Sequence, residues 1–562
     1  MNTEILGIIA MFTITVLLAI PFGKYIAKVF GNEKTLLDPI FNPIERIFYK
    51  ISGLNPQTEM SWKQQMVALV TINMIWFLMG MLILMTQGSL PLNPDQNPSM
   101  SADLAFNTVI SFVVNCNLQH YSGETGLSYL GQYWLMFLQF VSAGTGMAAA
   151  AVLFRAFREK STQNLGNFYD FFVKSCTRIL LPVSFVVAVI LAFEGTPMTF
   201  EGKDIITNLQ GEQVAVSRGP AAAFVAIKHV GTNGGGFFGV NSNHPFENPS
   251  YLSNMVEMFA QTIIPIAMIF AFGYFIRRKK LSWMIFGVMT VGFLLLAIPN
   301  INMEMNGNPA ISAMGIDNSL GAMEGKDVRI GAPAAGFWSI VTTVISTGSI
   351  NSMHDSTMPL SGMNELLAMM INAFYGGVGV GMLNFFIFII LAVFISGLMV
   401  GRTPEFLGKK VEAREMKIAM IIALLHPFLI LVGTALAAAL PQYTSETLNN
   451  PGFHGLSEML YEYTSSSANN GSGFEGLGDN TIWWNISTGF VLILSRFLPI
   501  IGPVAIAGLL AQKKYIPEGD GTLKTDTATF GLMVFVIIAI VAALSFFPVL
   551  ALGPIAEFFT LY

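Results

Sequence analysis

Gly231-Thr232-Asn233-Gly234-Gly235-Gly236-Phe237-Phe238-Gly239-Val240-Asn241-Ser242 is the stretch on which the fold turns. It is too polar and too rich in glycine for a membrane helix, yet it lies between long apolar segments. Irregular backbone at membrane depth persists only where it is buried in protein or lines a watery cavity. Glycine admits the dihedral angles that turn successive carbonyls to one side. A shell of carbonyls can replace the water around an ion. The run therefore reads as a re-entrant pore loop.

Three further turns share its plan: Asn115-Cys116-Asn117-Leu118-Gln119, Ser346-Thr347-Gly348-Ser349 and Asn469-Asn470-Gly471-Ser472. Each follows an apolar stretch too short or too broken to cross. Cys116 and Gly234 are 118 residues apart, Gly234 and Gly348 114, and Gly348 and Gly471 123. A near-constant period marks internal repetition, which underlies many transport folds.

Only 11% of the 562 residues are charged and 53% are hydrophobic, against roughly 25% charged in soluble proteins. Ten segments approach the ~20 apolar residues a bilayer demands. They lie near 4–23, 65–86, 132–154, 172–193, 255–276, 281–299, 368–400, 417–440, 485–511 and 528–551. The expected fold is an all-α integral membrane protein of ten transmembrane helices, with four pseudo-symmetric membrane–pore–membrane repeats and re-entrant pore loops. The boundaries are 1–60 for the first helix and its cytoplasmic loop, 61–160, 161–280, 281–415 and 416–515 for the repeats, and 516–562 for the last helix.

Charge tests this map. Alternate loops, beginning after the first span, collect 24 of the 29 Lys and Arg. The other side holds Lys203, Arg218, Lys228, Lys326 and Arg329. The positive-inside rule makes the richer side cytoplasmic and places both termini outside. The apolar N-terminal run lacks a basic region before it, so it reads as an uncleaved span. Two cysteines give no disulfide framework, and no basic stripe suggests nucleic acid. A membrane redox enzyme would need paired intramembrane His or Cys; His426 alone among six His falls in a span, and it reads as a packing residue.

The turns contain no carboxylate, so a weakly hydrated monovalent cation suits them better than calcium. An unpaired ion in a low dielectric costs on the order of tens of kcal/mol, which carbonyls must offset. The expected filter is Asn115, Cys116, Asn117, Thr232, Asn233, Gly234, Thr347, Gly348, Asn469, Asn470 and Gly471, with Gln119 and Asn241 close by. Thr and Asn are expected to add side-chain oxygens. Glu124, Glu247, Asp355 and Glu475 follow the turns and suggest a cation-concentrating vestibule, or simply solvated loop charges. Arg496 is the cation placed deepest in a span, where a charge costs at least ~2.5 kcal/mol. It is expected to guard the cytoplasmic exit, unless it snorkels to the interface. Gly377 and Gly379, in the cluster Gly376–Gly381, suggest a broken, gating helix or a close helix contact.

The run 231–242 resembles the second pore loop of the potassium-binding A subunits of the Kdp potassium-transporting ATPases. Tyr121-Ser122-Gly123-Glu124, Gly401-Arg402-Thr403-Pro404-Glu405-Phe406-Leu407-Gly408-Lys409-Lys410 and Ala468-Asn469-Asn470-Gly471-Ser472 resemble the same family. Thr347 departs from it, since members often carry Cys there. The resemblance implies capture of K⁺ from outside, with K⁺ as transported ligand and no organic cofactor. It implies a bacterial cytoplasmic membrane, and as partners a P-type ATPase catalytic subunit and two small membrane subunits. It also implies a sideways exit for the ion, with Arg402 at a barrier position. No Asp-Lys-Thr-Gly or phosphate-loop motif is present, so ATP hydrolysis is expected on the partner. A self-sufficient K⁺ channel or ion-coupled transporter is the alternative.

Overall fold

The structure, a computed structural model, describes residues 3–401, 403–517 and 524–561. Arg402 lies outside them. Ten of the described helices, or runs of helices, are long and apolar enough to cross a membrane.

α1 (Thr3–Phe30) is the first, and an amphipathic helix, α2 (Asp38–Ser52), follows it. Repeat one is α3 (Trp62–Thr86), pore helix α4 (Ala102–Val113) and α5 (Tyr129–Arg158). Repeat two opens on a composite span: α6 (Phe168–Lys174), a π turn (Ser175–Leu180) and α7 (Leu181–Glu194). Pore helix α8 (Ala221–Val230) and α9 (Tyr251–Phe275) complete it. Repeat three is α10 (Lys279–Asn306), pore helix α11 (Ala332–Ile345), α12 (Pro359–Ile371) and α13 (Val380–Val400). Repeat four is α14 (Ala413–Ala439), pore helix α15 (Gly452–Ala468) and α16 (Ile482–Ala511); α17 (Ala528–Leu550) ends the set. Among the described residues the strands form only small hairpins, such as Asp204–Thr207 against Gln213–Val216.

Helix starts follow local chemistry. Ser61 caps α3 in a capping box with Gln64, and Thr481 and Thr527 cap α16 and α17. The span expected at 368–400 is broken. α12 stops at Ile371, Asn372 and Tyr375 adopt left-handed backbone, and α13 starts at Val380. The glycine cluster forms this connection, and Gly379 within it also packs closely against Gly146 of α5.

Small residues bring the spans together, as in other membrane bundles. A Cβ on Gly23 of α1 would lie 2.6 Å from the Ala267 carbonyl of α9. Burial rises toward the centre. The most hydrophobic window of α5 is 89% buried and that of α9 83%, against 22% for α1 and 28% for the last span. The terminal spans therefore sit outside a core made by the repeats.

Candidate ion-binding site

Each pore helix ends on a left-handed residue: Asn115 (φ 63°), Thr232 (48°), Ser346 (58°) and Asn469 (51°). Two residues later the chain is left-handed again, at Asn117 (59°), Gly234 (70°), Gly348 (90°) and Gly471 (103°). All four turns thus share one backbone pattern. It also corrects the register: Asn117, not Cys116, is the counterpart of Gly234. Non-glycine residues in this region cost roughly 1–2 kcal/mol each, a strain that persists where surroundings enforce it.

Between the two left-handed positions stand Cys116, Asn233, Thr347 and Asn470, all fully buried. Among the described residues, none of their four carbonyls accepts a hydrogen bond. Buried carbonyls are nearly always paired. Four free ones, one per repeat and at the same step of the same turn, are the kind of arrangement that can replace the hydration shell of a cation.

The turns meet in a ring. A Cβ on Gly234 would stand 2.2 Å from the Thr347 carbonyl, one on Gly348 2.1 Å from that of Asn470, and one on Gly471 2.0 Å from that of Cys116. Repeats one and two join through Asn117, whose Nδ2 donates to the Gly234 carbonyl at 2.9 Å. The repeats therefore run one to four in order around the ring, and glycine is required at three of the junctions.

The side-chain amide nitrogens of the turns act as braces. Asn115 Nδ2 donates to the Thr232 carbonyl at 3.0 Å, while its Oδ1 accepts from Asn233 Nδ2 at 2.6 Å and Ser142 Oγ at 2.9 Å. Asn470 Nδ2 donates to the Thr342 carbonyl at 2.8 Å, and Asn469 Nδ2 to Ser495 Oγ at 3.0 Å. Gln119 grips Gly236 both ways, Nε2 to its carbonyl at 3.0 Å and Oε1 from its N–H at 2.6 Å. Asn241 Oδ1 accepts from Lys228 Nζ at 2.6 Å and Ser349 Oγ at 3.3 Å, so it works behind the loop. Thr347 Oγ1, with Asn117 and Asn233 Oδ1, is buried without a partner.

Sequence reasoning missed the residue four before each first left-handed position: Ser111, Lys228, Thr342 and Ser465. Thr342 Oγ1 accepts from Gly348 N–H at 2.9 Å, and Ser465 Oγ from Gly471 N–H at 3.0 Å. In repeat two the hydroxyl is replaced by a fully buried ammonium. Lys228 pairs with Glu247 and donates to Ser242 Oγ at 2.7 Å. Aligning the four turns is the signal that finds this position.

The four acidic residues each make a bracing contact, and Glu475 is also exposed. Glu124 accepts from Gly239 N–H at 2.7 Å. Glu247 is fully buried on Lys228 and Phe238 N–H. Asp355 lies 2.8 Å from His454, and its N–H donates to Glu475 at 3.1 Å. His120 was also missed. Its Nδ1 meets Asn485 Oδ1 at 2.7 Å and its Nε2 meets Glu462 at 3.1 Å. Asn485 Nδ2 is committed to Asp103, so both ring nitrogens face acceptors, an arrangement that favours the protonated ring.

Beneath the ring is a narrow cavity of about 80 Å³, walled by Asn115, Ser346 and Asn469 from the turns above. Phe388 of α13, Ile422 and His426 of α14, and Val541 and Phe546 of α17 also line it. Arg496 lies in its wall, buried, with Nη2 donating to the Ser142 carbonyl at 3.2 Å. Its burial keeps it from reaching the surface, and among the described residues it has no carboxylate partner. Gly377 lines the same cavity. A Cβ on Gly379 would stand 2.3 Å from the Gly146 carbonyl, and Val378 N–H donates to Thr232 Oγ1 at 3.0 Å. The broken helix thus lies directly under the second turn. His426 bridges Ser467 Oγ (2.8 Å) and the Met369 carbonyl (3.0 Å), a packing role.

The family model of the potassium-transporting ATPase A subunit matches residues 9–559. The chain belongs to this A-subunit family. Relatives named potassium-transporting ATPase potassium-binding subunit include one from Flavobacterium psychrophilum, 70% identical over the whole of both chains. One from Bacteroides thetaiotaomicron is 62% identical, also over both chains in full, and one from Geobacillus kaustophilus is 46% identical over 98% of each. The potassium transporter TrkH from Vibrio parahaemolyticus has the same fold, with a TM-score of 0.51 at 13% identity over 77% of this chain and 83% of its own. The four-turn ring therefore belongs to a multi-pass A-subunit chain whose relatives are named for potassium.

Proposed function

We propose that this chain binds extracellular K⁺ in the four-turn ring and passes it on within an ATP-driven uptake complex. The observation that carries this reading is the set of four unpaired carbonyls at Cys116, Asn233, Thr347 and Asn470. Carbonyl dipoles without a full negative charge favour a monovalent cation that sheds water readily. Thr347 adds a free hydroxyl in the third quarter, where the family often has Cys.

Catalysis rests with a P-type ATPase subunit, accompanied by two small membrane subunits; the relatives' names support an ATPase assembly. The bacterial sources of the relatives support a bacterial cytoplasmic membrane location, and the charge asymmetry supports both termini outside. The lining of the cavity by α13, α14 and α17 supports a sideways exit between them. Arg496, buried and among the described residues without a carboxylate partner, acts as an electrostatic barrier below the ring, with Gly377 and Gly379 shaping the loop beside it. Arg402 belongs to the same barrier by family resemblance.

Gly234→Asp tests the ring. In the co-purified complex it should raise the K⁺ concentration that half-activates ATP hydrolysis at least tenfold, or relax discrimination against Rb⁺ and NH₄⁺. Unchanged affinity and selectivity would refute the assignment. Sustained K⁺ flux through the purified chain alone would favour a self-sufficient channel.

A further inference from the structure

The helix between the first two spans is inverted relative to an amphipathic helix of a soluble protein, which buries its apolar face. In α2 the polar stripe Asp38, Asn42, Glu45 and Tyr49 turns toward the protein. Arg178, in the π turn of the fourth span, holds most of it. Its Nη1 donates to Asp38 at 2.7 Å, its Nη2 to Asn42 at 2.7 Å and Glu45 at 2.6 Å, and its Nε to Glu45 at 2.7 Å. Thr177 Oγ1 donates to Glu45 at 2.8 Å, and the Tyr49 hydroxyl to Asp170 at 3.1 Å. On the opposite side Ile40, Ile44, Ile47 and Ile51 are 60%, 51%, 60% and 83% exposed. At helical spacing they make one continuous apolar stripe, and Leu36, 94% exposed, extends it. Such a patch marks an interaction surface.

The surroundings of the stripe say what covers it. Leu37, at the start of α2, forms part of the wall of an open apolar groove of about 800 Å³ between α1, α7 and α9. Ile14 and Leu18 of α1 and Val186 of α7 share that wall and are more than half exposed or nearly so, as lipid-facing side chains are. The isoleucine stripe thus continues the lipid-facing belt. Lys34, Arg46 and Lys50 accompany it, exposed and, among the described residues, without ion pairs. Basic groups beside an apolar stripe suit the anionic surface of the cytoplasmic leaflet.

We propose that α2 is an interfacial anchor. Its isoleucines enter the headgroup–acyl boundary of the cytoplasmic leaflet, and Lys34, Arg46 and Lys50 hold anionic phospholipid. Arg178 locks the helix with its polar face inward, which commits the apolar face to lipid. The sidedness rests on the topology proposed above.

The test uses the full-length chain with its co-purifying subunits in phosphatidylglycerol-containing vesicles, spin-labelled at Ile47→Cys or Ile51→Cys. Unsubstituted protein gives the background of the two native cysteines. Strong relaxation by oxygen with little by a water-soluble nickel chelate is the expected result. Strong relaxation by the chelate would show bare solvent exposure, and weak relaxation by both would show a protein partner; either overturns the proposal. Impermeant thiol labelling of Gly53→Cys from each side reads the topology separately, so its failure is distinguishable. K34Q/R46Q/K50Q should retain at least threefold less phosphatidylglycerol after detergent extraction than the unsubstituted protein. Equal retention would overturn the headgroup assignment.

Discussion

The backbone of Gly348 lies so close to that of Asn470 that a Cβ on the glycine would stand 2.1 Å from the Asn470 carbonyl oxygen. One hydrogen atom, rather than a methyl group, separates the third quarter of the ring from a carbonyl of the fourth. Gly348 also has φ of 90°, which strains any L side chain. Gly348→Ala should therefore weaken K⁺ activation of the complex at least tenfold, equivalent to about 1.4 kcal/mol. Gly473→Ala, with nothing within 4 Å of the added Cβ, should stay within about twofold, given its small cost at an open site. Equal effects of the two would separate ion binding from ring geometry.

Lys228 and Glu247 form a fully buried ion pair behind the second turn. Removing one partner of such a pair typically costs about 3–5 kcal/mol, whereas replacing both with apolar side chains costs far less. Lys228→Met should lower the melting temperature sharply and broaden K⁺ activation, and adding Glu247→Leu should recover much of the stability. A double variant no better than the single one would show that Lys228 works independently of its partner.

Arg496 lines the cavity beneath the ring and, among the described residues, has no carboxylate partner. Arg496→Gln should leave K⁺ half-activation within about threefold, since the carbonyl ring is untouched, but lower the K⁺ transported per ATP hydrolysed. That ratio, measured in proteoliposomes, checks the barrier role. A preserved ratio would argue against it.

His454 joins two segments far apart in the chain, at 2.8 Å from Asp355 and 2.9 Å from Glu557. Burial pulls its pKa down, but hydrogen bonds to the two carboxylates outweigh burial and hold it at about 10. A raised folded pKa stabilises fully below the unfolded value of about 6.5, and the contribution fades as pH climbs through about 10. Thermal melting of unsubstituted protein and His454→Gln should differ most near pH 6 and converge near pH 10. A constant gap across that range would show that the imidazolium is not what links the two carboxylates.

How much was legible in the residues depended on how local the physics was. The spans follow from composition, and the break at Gly376–Gly381 from glycine in an apolar run. The four turns were visible because each carries residues that tolerate left-handed backbone. Their register was not, because Cys116 occupies a position whose dihedrals, not its side chain, define it; only the pattern of left-handed φ at Asn115 and Asn117 settles the alignment. Glu247 and Asp355 read as vestibule charges because their partners, Lys228 and His454, are set by packing between segments. Lys228 looked like one of five stray cations on the outer side. His120 gave no signal, since its acceptors Glu462 and Asn485 are more than 300 residues away in the chain.

The quarters of the ring are encoded separately. In a pore of four identical chains, a change of one codon alters four positions together. Here Lys228 stands where the other three quarters carry hydroxyls, and Thr347 where only one quarter offers a free one. Evolution can therefore adjust this ring one coordinate at a time, refining affinity through a single quadrant while three intact quadrants keep transport, and the organism, going.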